Sequence, residues 1–478
     1  MKFKSENNKN YIESFIKCHI DIIKKLDFEL AIITAKQLGC LLWHNNLGVY
    51  ELNDLESYLI DVAVFELGDP SYIEFSKSNQ NDILFIATEL YLTGGHSRLM
   101  ERLSGFLDVK PDLLLSEIPT QEILSRESDF FDSIVFLEKK PSSVLSKLIF
   151  LLKSIINKKC VILSIHPDDI YSIVACGVAK KLNPNLKIHF INHADHVFSF
   201  GSSIADVWYE ISEYGKVIDK LRGLKANKSF LGIPIGIKER RSIQHSFQDG
   251  DLILSAASNG KYKPCNNQSI LPLVDALLSK YKSSKMQIIG VNIYKDYWWW
   301  LCKIKFGNRL VLSGALEYTM YMDITSKAKL YIDSHPFPGG TAFAEQFLQG
   351  KLCTGLISSY RGYSPAEKLK MNDVLDVISF INNSVEYDFD NVYDSVINIH
   401  GMDKVKERFL SSIIDCNYTS VDCSSYVNVI EPVIKHKIIS IPSDFRILSY
   451  AQLIKIYNVS TILCLIKFAI KKLQFMKL

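Results

Sequence analysis

Short apolar runs alternate with helical segments along most of this chain, and the alternation occurs in two successive series. Such runs are typical of strands that are buried on both faces of a parallel sheet. Strand and helix in alternation predict βαβ units with right-handed crossovers. Two such series predict an α/β protein with two domains that face each other across a cleft, and a ligand site at the carboxyl ends of the strands.

The two series are separated by a segment rich in glycine, proline and charge, Gly232–Arg241, which indicates an interdomain linker. In the first series the predicted strands are Asp82–Ala87, Ser133–Leu137, Cys160–Ile165, Lys187–Asn192 and Phe230–Ile235, and the clearest helices are Ser142–Ile156 and Ile170–Leu182. In the second the predicted strands are Leu252–Ala257, Met286–Val291, Leu310–Ser313 and Ala328–Ile332, and the helices are Ser269–Lys280 and Thr341–Leu348.

A length of 478 residues exceeds what one ordinary core accommodates. We therefore expect a helical extension over residues 1–80, a first domain over 81–240, a second domain over 250–400 and a helical tail over 401–478. Apolar residues three and four apart near Ile12 and Ile20 predict helices in the extension.

Composition indicates a globular protein, with 47% hydrophobic and 22% charged residues. The net charge of +3 does not favour a nucleic-acid partner. Ten cysteines without a CxxC pair favour a reducing compartment, and a polar start without a signal peptide predicts a cytoplasmic location. The apolar, lysine-dotted segment 455–477 allows two interpretations, a terminal helix packed on the body or a basic amphipathic helix in peripheral contact with the inner face of a membrane.

The segment Asp333–Gly350 carries the most informative motif. The strand Leu330–Ile332 is followed by Asp333, by a Pro338-Gly339-Gly340 turn and by Thr341, a predicted N-cap of a helix with Glu345 in its first turn. Backbone N–H groups and the positive dipole end at such a helix start form an anion site suited to a diphosphate. An ordinary turn before a core helix is the alternative.

This segment resembles the donor-binding element of GT-B glycosyltransferases, in particular the O-GlcNAc-transferase and bacterial adhesin-glucosyltransferase branch, where a Pro-Phe-x-Gly-Gly-Thr-like motif precedes a helix. The resemblance implies two Rossmann-like domains and a nucleotide-sugar donor, UDP-linked, with no cofactor or metal. It further implies that Gly339, Gly340 and Thr341 hold the diphosphate, while Asp333 or Glu345 contacts sugar or ribose hydroxyls. Retaining relatives carry two glutamates eight positions apart, but Phe337 stands eight residues before Glu345, which favours an inverting hexosyltransferase.

Two further loops extend the resemblance. Ala257–Pro264 follows a strand, and Lys261 or Lys263 there is expected to neutralise the leaving diphosphate; a solvated surface loop is the alternative. Gly94 and Gly95 precede His96 and resemble an acceptor-side loop. His96 is a candidate general base because the pKa of histidine lies near operating pH, although a histidine at a helix start is often only structural.

Histidines and aspartates after two strands leave a different enzyme class open. Ser164–Asp169 contains His166-Pro167-Asp168-Asp169, and His193–His196 contains Asp195. Together they resemble the metal-binding segments of zinc-dependent N-acetylglucosamine deacetylases, with His166, Asp169 and His196 as the implied ligands. Within the GT-B interpretation, His166 and His193 instead line the acceptor side, and Asp195 or His193 is an alternative base.

The sequence therefore predicts a glycosyltransferase that moves a sugar from a nucleotide donor to a glycan, lipid-linked or protein acceptor, with bacterial surface polysaccharide or glycoconjugate synthesis as the expected setting. The alternatives are the zinc deacetylase and a non-catalytic relative that binds a nucleotide or a glycan.

Overall fold

The computed structural model describes residues 2–69, 81–92, 94–237, 239–244, 246–265, 267–422, 426–427 and 430–434, without the side chains of 2–11, 318 and 319. The lysine-dotted segment predicted as a terminal helix, 455–477, lies outside the described residues. Within them, no helix has the length and apolar character needed to span a membrane.

Three helices form the N-terminal extension: α1 (Lys2–Ile23), α2 (Phe28–Asn45) and α3 (Asn53–Leu67). The Asp27 carboxylate starts α2 by accepting a hydrogen bond of 2.9 Å from the Leu30 N–H. The buried apolar faces of α2 and α3 share one core with the first sheet. Gly177 permits this approach, since a Cβ at that position would lie 2.3 Å from Ile60 of α3. The predicted helical extension is therefore present, packed on the first α/β unit.

The first α/β unit contains seven parallel strands in the order β3-β2-β1-β4-β5-β6-β7. The strands are β1 (Ile83–Ala87), β2 (Asp112–Leu115), β3 (Ile134–Phe136), β4 (Cys160–Leu163), β5 (Lys187–Ile191), β6 (Val207–Glu210) and β7 (Asn227–Phe230). The helices between them are α4 (Gly95–Ser104), α5 (Gln121–Glu127), α6 (Val144–Ile155), α7 (Ile170–Leu182) and α8 (Glu213–Asp219). The predicted strand Phe230–Ile235 is wrong in its bounds, because β7 ends at Phe230 and Gly232 takes a φ of +77°.

The second unit contains six parallel strands in the order β10-β9-β8-β11-β12-β13. The strands are β8 (Leu252–Ala256), β9 (Lys285–Ile289), β10 (Leu310–Ser313), β11 (Ala328–Ile332), β12 (Leu352–Leu356) and β13 (Lys370–Met371). The helices are α9 (Asn259–Tyr262), α10 (Leu271–Lys280), α11 (Trp300–Phe306), α12 (Tyr318–Lys327), α13 (Thr341–Leu348), α14 (Val374–Asn382), α15 (Phe389–His400) and α16 (Met402–Ile414). Among the described residues, the predicted alternation of strand and helix in two units is confirmed.

The strand order fixes where loops converge in each unit. In both sheets the order reverses direction once, between β1 and β4 in the first and between β8 and β11 in the second. Loops at such a switch point run to opposite faces of the sheet and leave a crevice at its carboxyl edge, where ligands of doubly wound folds bind. The loops after β1, β4, β5, β8 and β11 carry the predicted glycine and histidine motifs, and all of them except the β5 loop lie at a switch point.

The last described helix returns to the first unit. Val405 and Phe409 of α16 are buried in a core with side chains of β1, α4 and β6. The Arg408 guanidinium donates a 2.9 Å hydrogen bond from Nη2 to the Leu231 carbonyl. The chain therefore crosses between the units twice, and α16 ties the second to the first.

Candidate active site in the interdomain cleft

His96 lies at the switch point of the first sheet, in the first turn of α4. Its Nε2 is 2.8 Å from the Ser164 carbonyl oxygen, in the loop after β4. Because a carbonyl oxygen only accepts, Nε2 carries the proton in the neutral ring and Nδ1 is the basic nitrogen. Gly94 precedes the helix as its N-cap, with a φ of 144°. The β1 and β4 loops thus fix both the position and the tautomer of His96.

Two further histidines surround His96. The His193 ring packs against it with centroids 4.2 Å apart and the ring planes tilted by 30°, and the buried Nδ1 of His193 has no hydrogen-bond partner among the described residues. Burial, with a smaller contribution from the neighbouring His166, lowers the pKa of His96 to about 4. Burial, with His96 and His166 beside it, also lowers the pKa of His193 well below its usual value. Both rings are therefore neutral at pH 7, and a pKa near neutrality at His96 was the wrong expectation.

His166 is held from two sides. Its Nδ1 lies 2.5 Å from the Asp168 carboxylate, and its ring meets the Trp43 indole edge-on at 4.4 Å between centroids. Trp43 belongs to α2, so the N-terminal extension contributes directly to this side of the cleft. No sequence motif marks Trp43, which stands in an apolar helical run.

The glycine turn of the second unit begins α13. The helix starts at Thr341, and Gly340 is its N-cap, with a φ of 55° that favours glycine. The prediction that Thr341 caps the helix is therefore wrong by one position, and Glu345, the fifth helical residue, lies beyond the first turn. The start of α13 nevertheless faces the cleft, since Gly340 and Thr341 both line its cavity.

The Asp333 carboxylate is bonded to other groups of the protein, whereas the sequence predicted that it contacts sugar or ribose hydroxyls. Its carboxylate is buried, pairs with Lys370 at 2.7 Å, and accepts 2.8 Å hydrogen bonds from the N–H groups of Ser334 and Gly339. Burial alone would lower the pKa of Lys370, but the facing carboxylates of Asp333 and Glu367 raise it. Asp333 therefore shapes the glycine turn from within.

Of the two lysines after β8, one faces the cleft. Lys261 donates a 2.8 Å hydrogen bond to the Pro338 carbonyl and lines the cavity, whereas Lys263 is exposed and is absent from the lining. Burial lowers the pKa of Lys261. A cation in this position would meet any anion held at the glycine turn.

A cavity of about 360 Å³ joins the two switch points. From the first unit it is lined by Gly95, His96, His166 and His193, and from the second by Lys261, Gly339, Gly340 and Thr341. The two glycine loops approach closely: a Cβ on Gly95 would lie 3.7 Å from the Thr341 hydroxyl oxygen. The structure thus brings together residues that the sequence assigned to opposite sides of one cleft.

Glu345 and Asp195 lie in networks between the units. The Glu345 carboxylate is 3.4 Å from Arg98 and 3.3 Å from Arg102, both on α4. Asp195 is fully buried and accepts hydrogen bonds from Ser212 and, at 2.9 Å, from the Tyr363 hydroxyl. Neither carboxylate lines the cavity: Asp195 is buried behind it, and Glu345 is paired with two arginines.

The geometry does not assemble the implied zinc set. Asp169 is the N-cap of α7 and accepts hydrogen bonds from Thr88 at 2.7 Å, Ser116 at 2.6 Å and the Ser172 N–H at 3.1 Å. Its carboxylate is thereby satisfied, as a buried cap should be. Among the described residues, no three histidine, cysteine, aspartate or glutamate side chains group around a possible metal position.

Comparisons with known proteins agree with the fold. No protein-family model matches the chain, and no curated protein matches it. Among solved structures, HepE of Anabaena in complex with UDP aligns with a TM-score of 0.52 and 11% identity, over 70% of this chain and 100% of that one. The O-GlcNAc transferase of Thermobaculum terrenum aligns with a TM-score of 0.51 and 11% identity, over 83% and 81%. The lipopolysaccharide outer core galactosyltransferase WaaB gives 0.50 and 15%, over 70% and 99%.

These similarities, the two doubly wound sheets and the cleft between them define the class: the chain has the two-domain GT-B fold, with an N-terminal helical region.

Proposed function

We propose that the protein is a glycosyltransferase that moves a sugar from a nucleoside diphosphate to an acceptor hydroxyl. One observation carries the proposal: a single cavity is lined by His96 from one unit and by a helix start, with Lys261, from the other. The first suits removal of a proton, and the second suits a departing diphosphate.

On the donor side, α13 directs its positive dipole end and first-turn N–H groups at the cavity. Gly339 and Gly340 allow a phosphate to approach the backbone, Thr341 supplies a hydroxyl donor, and Lys261 supplies charge. The solved HepE structure with UDP has this fold, and we assign UDP as the nucleotide here. The acceptor is a glycan, a lipid-linked sugar or a protein, in bacterial surface polysaccharide or glycoconjugate synthesis.

The reaction is a direct displacement with inversion. Nδ1 of His96 takes the proton of the acceptor hydroxyl, the hydroxyl oxygen bonds to the anomeric carbon, and the bond from that carbon to the phosphate oxygen breaks. The nucleoside diphosphate leaves with the bonding electron pair. Phe337 stands where a second glutamate would support retention. Low solvent access around the histidines strengthens the electrostatic contribution of the helix and of Lys261.

A thermal-shift panel of UDP, GDP, CDP, ADP and dTDP tests the donor site. UDP at ~100 times its dissociation constant should add about 2.7 kcal/mol to the free energy of unfolding. Lys261→Met should weaken UDP binding by at least about tenfold, because a charge-assisted contact is lost. Lys263→Met is the matched control and should leave binding unchanged. A panel without any shift would contradict the proposal, and stoichiometric zinc that is lost on His166→Ala would favour the deacetylase.

A further inference from the structure

The connection between β9 and β10 carries an exposed apolar surface that the cleft does not use. It contains a 3-10 turn, Tyr297–Trp299, followed by α11. Its exposed side chains, which we call the aromatic surface, are Tyr294 (90% exposed), Tyr297 (66%), Trp300 (49%), Leu301 (81%) and Ile304 (80%). Contiguous exposure of this kind marks an interaction site more often than scattered apolar residues do.

The aromatic surface is one face of a helical segment. From Tyr297 to Ile304 its members are spaced three or four residues apart, which places them on the same side of the helix. The opposite side is buried in the core of the second unit through Trp299, Cys302 and Phe306. The Trp300 indole N–H donates a 2.7 Å hydrogen bond to the Ile293 carbonyl, so its polar edge is satisfied while the ring stays half exposed.

The surroundings of the aromatic surface are basic. Between Gly290 and Leu316 the only acidic residue is Asp296, which is buried and accepts a 2.7 Å hydrogen bond from the Asn292 N–H. The same stretch carries four cationic residues: Lys295, Lys303, Lys305 and Arg309. Of these, Lys305 pairs with the Asp275 carboxylate of α10 at 2.5 Å, and Lys303 and Arg309 donate hydrogen bonds of 2.8 Å to the Leu310 and Leu278 carbonyls. The side chains flanking the aromatic surface therefore carry a positive excess.

The aromatic surface originates at the edge of the sheet where the cleft opens. It follows the carboxyl end of β9, beside the loop that leads from β8 to Lys261. Two contacts join these segments: Ala257 N–H donates to the Ile289 carbonyl at 3.1 Å, and the Asn259 amide donates to Asp296 at 3.4 Å. A partner that docks on the aromatic surface would therefore lie near the cleft and not at the far end of the molecule.

We propose that the aromatic surface docks the protein on an anionic lipid surface. Tyrosine and tryptophan favour the headgroup level, and Leu301 and Ile304 would enter the acyl boundary. The exposed Lys295, in a stretch of net positive charge, would face anionic headgroups. Charge disfavours a second copy of this chain as the occupant, because a two-fold contact would set the same cationic residues against each other. The inference does not rest on transferase activity.

Sedimentation of the full chain with vesicles tests the proposal. Binding is compared for phosphatidylglycerol–phosphatidylcholine vesicles and for phosphatidylcholine alone, at low and high salt. The wild type should bind the anionic vesicles, and binding should fall with salt. The double variant Leu301→Glu, Ile304→Glu should bind at least about tenfold more weakly, since it replaces apolar contacts with carboxylates facing anionic lipid. Phe65→Glu, at an 82% exposed position on α3, should bind like the wild type.

Three outcomes would overturn the proposal. They are no binding to anionic vesicles, equal binding by the double variant and the wild type, and light scattering that shows a dimer for the wild type and a monomer for the double variant. If the double variant does not fold, Tyr294→Glu replaces it, because that side chain is almost fully exposed in a loop and should weaken vesicle binding in the same direction. UDP-induced thermal shifts, measured in parallel, report separately on the donor site.

Discussion

Arg102 of α4 lies 3.3 Å from Glu345 of α13, so an ion pair connects the helices that follow the two glycine loops of the cleft. Arg98 adds a second contact to the same carboxylate at 3.4 Å. The helix that carries His96 and the helix that begins at the glycine turn are therefore held in one relative position.

We expect Glu345→Gln to loosen this connection rather than to abolish donor binding. Loss of a partly buried carboxylate leaves two arginines without their partner, and the melting temperature should fall by about 2–4 °C. Affinity for UDP, measured by calorimetry, should change by less than about threefold, a factor worth under 1 kcal/mol. Asp394→Asn, which removes an exposed partner of Arg240, is the control and should change the stability by at most about 0.5 kcal/mol. A large loss of UDP affinity would instead indicate that Glu345 contacts the donor, as the sequence predicted.

Thr341→Val should weaken binding of UDP by about tenfold or more, because a hydroxyl donor to a charged phosphate is removed at constant shape. The fold should be unaffected, since the Thr341 side chain does not cap α13. Thr120→Val is the matched control: Thr120 also stands at a helix start, makes no capping hydrogen bond and is exposed. Equal UDP affinities in the wild type and both variants would show that the diphosphate does not bind at the start of α13.

His96→Ala should reduce turnover by ~10²–10⁴, the usual contribution of a general base, while UDP affinity stays within about twofold. Burial lowers the pKa of His96 to about 4. A base works in its neutral form, which is present above its pKa and is lost as pH falls through it. Titration of His96 should therefore not change the wild-type rate between pH 6 and 8, and the rate should decline only below about pH 5. A decline centred near pH 7 would indicate another base.

Asp195→Ala should lower the free energy of unfolding rather than remove a catalytic group. The substitution leaves the Ser212 and Tyr363 hydroxyls without their buried acceptor, a loss of about 1–3 kcal/mol. Tyr363→Phe is the milder comparison, because it removes one hydrogen bond and leaves the carboxylate bound to Ser212. Urea titration should rank the wild type first, Tyr363→Phe next and Asp195→Ala last. If Asp195→Ala were as stable as the wild type but inactive, Asp195 would take over the role of base.

Local patterning was enough to predict the architecture, because most of the buried strands and helices show an apolar run or a helical period within a few residues. The pattern missed β2, β6, β12 and β13, and β13 has only two residues. The β12 strand contains Gly355, where a Cβ would lie 3.3 Å from Asp333. The loops of the cleft were also predictable, since parallel strands place every strand–helix loop at one sheet edge.

The sequence by itself determined the two doubly wound units and the glycine and histidine loops at their carboxyl edges. Only the tertiary structure decided which charged groups remain open to a ligand. Asp333 is paired with Lys370, Glu345 with Arg98 and Arg102, and Trp43 reaches the cleft from the extension. The partners lie far apart along the chain, so no spacing rule could reveal them. Burial explains why the Asp333 and Glu345 carboxylates stay paired, because a carboxylate withdrawn from water must keep the partner that compensates its charge.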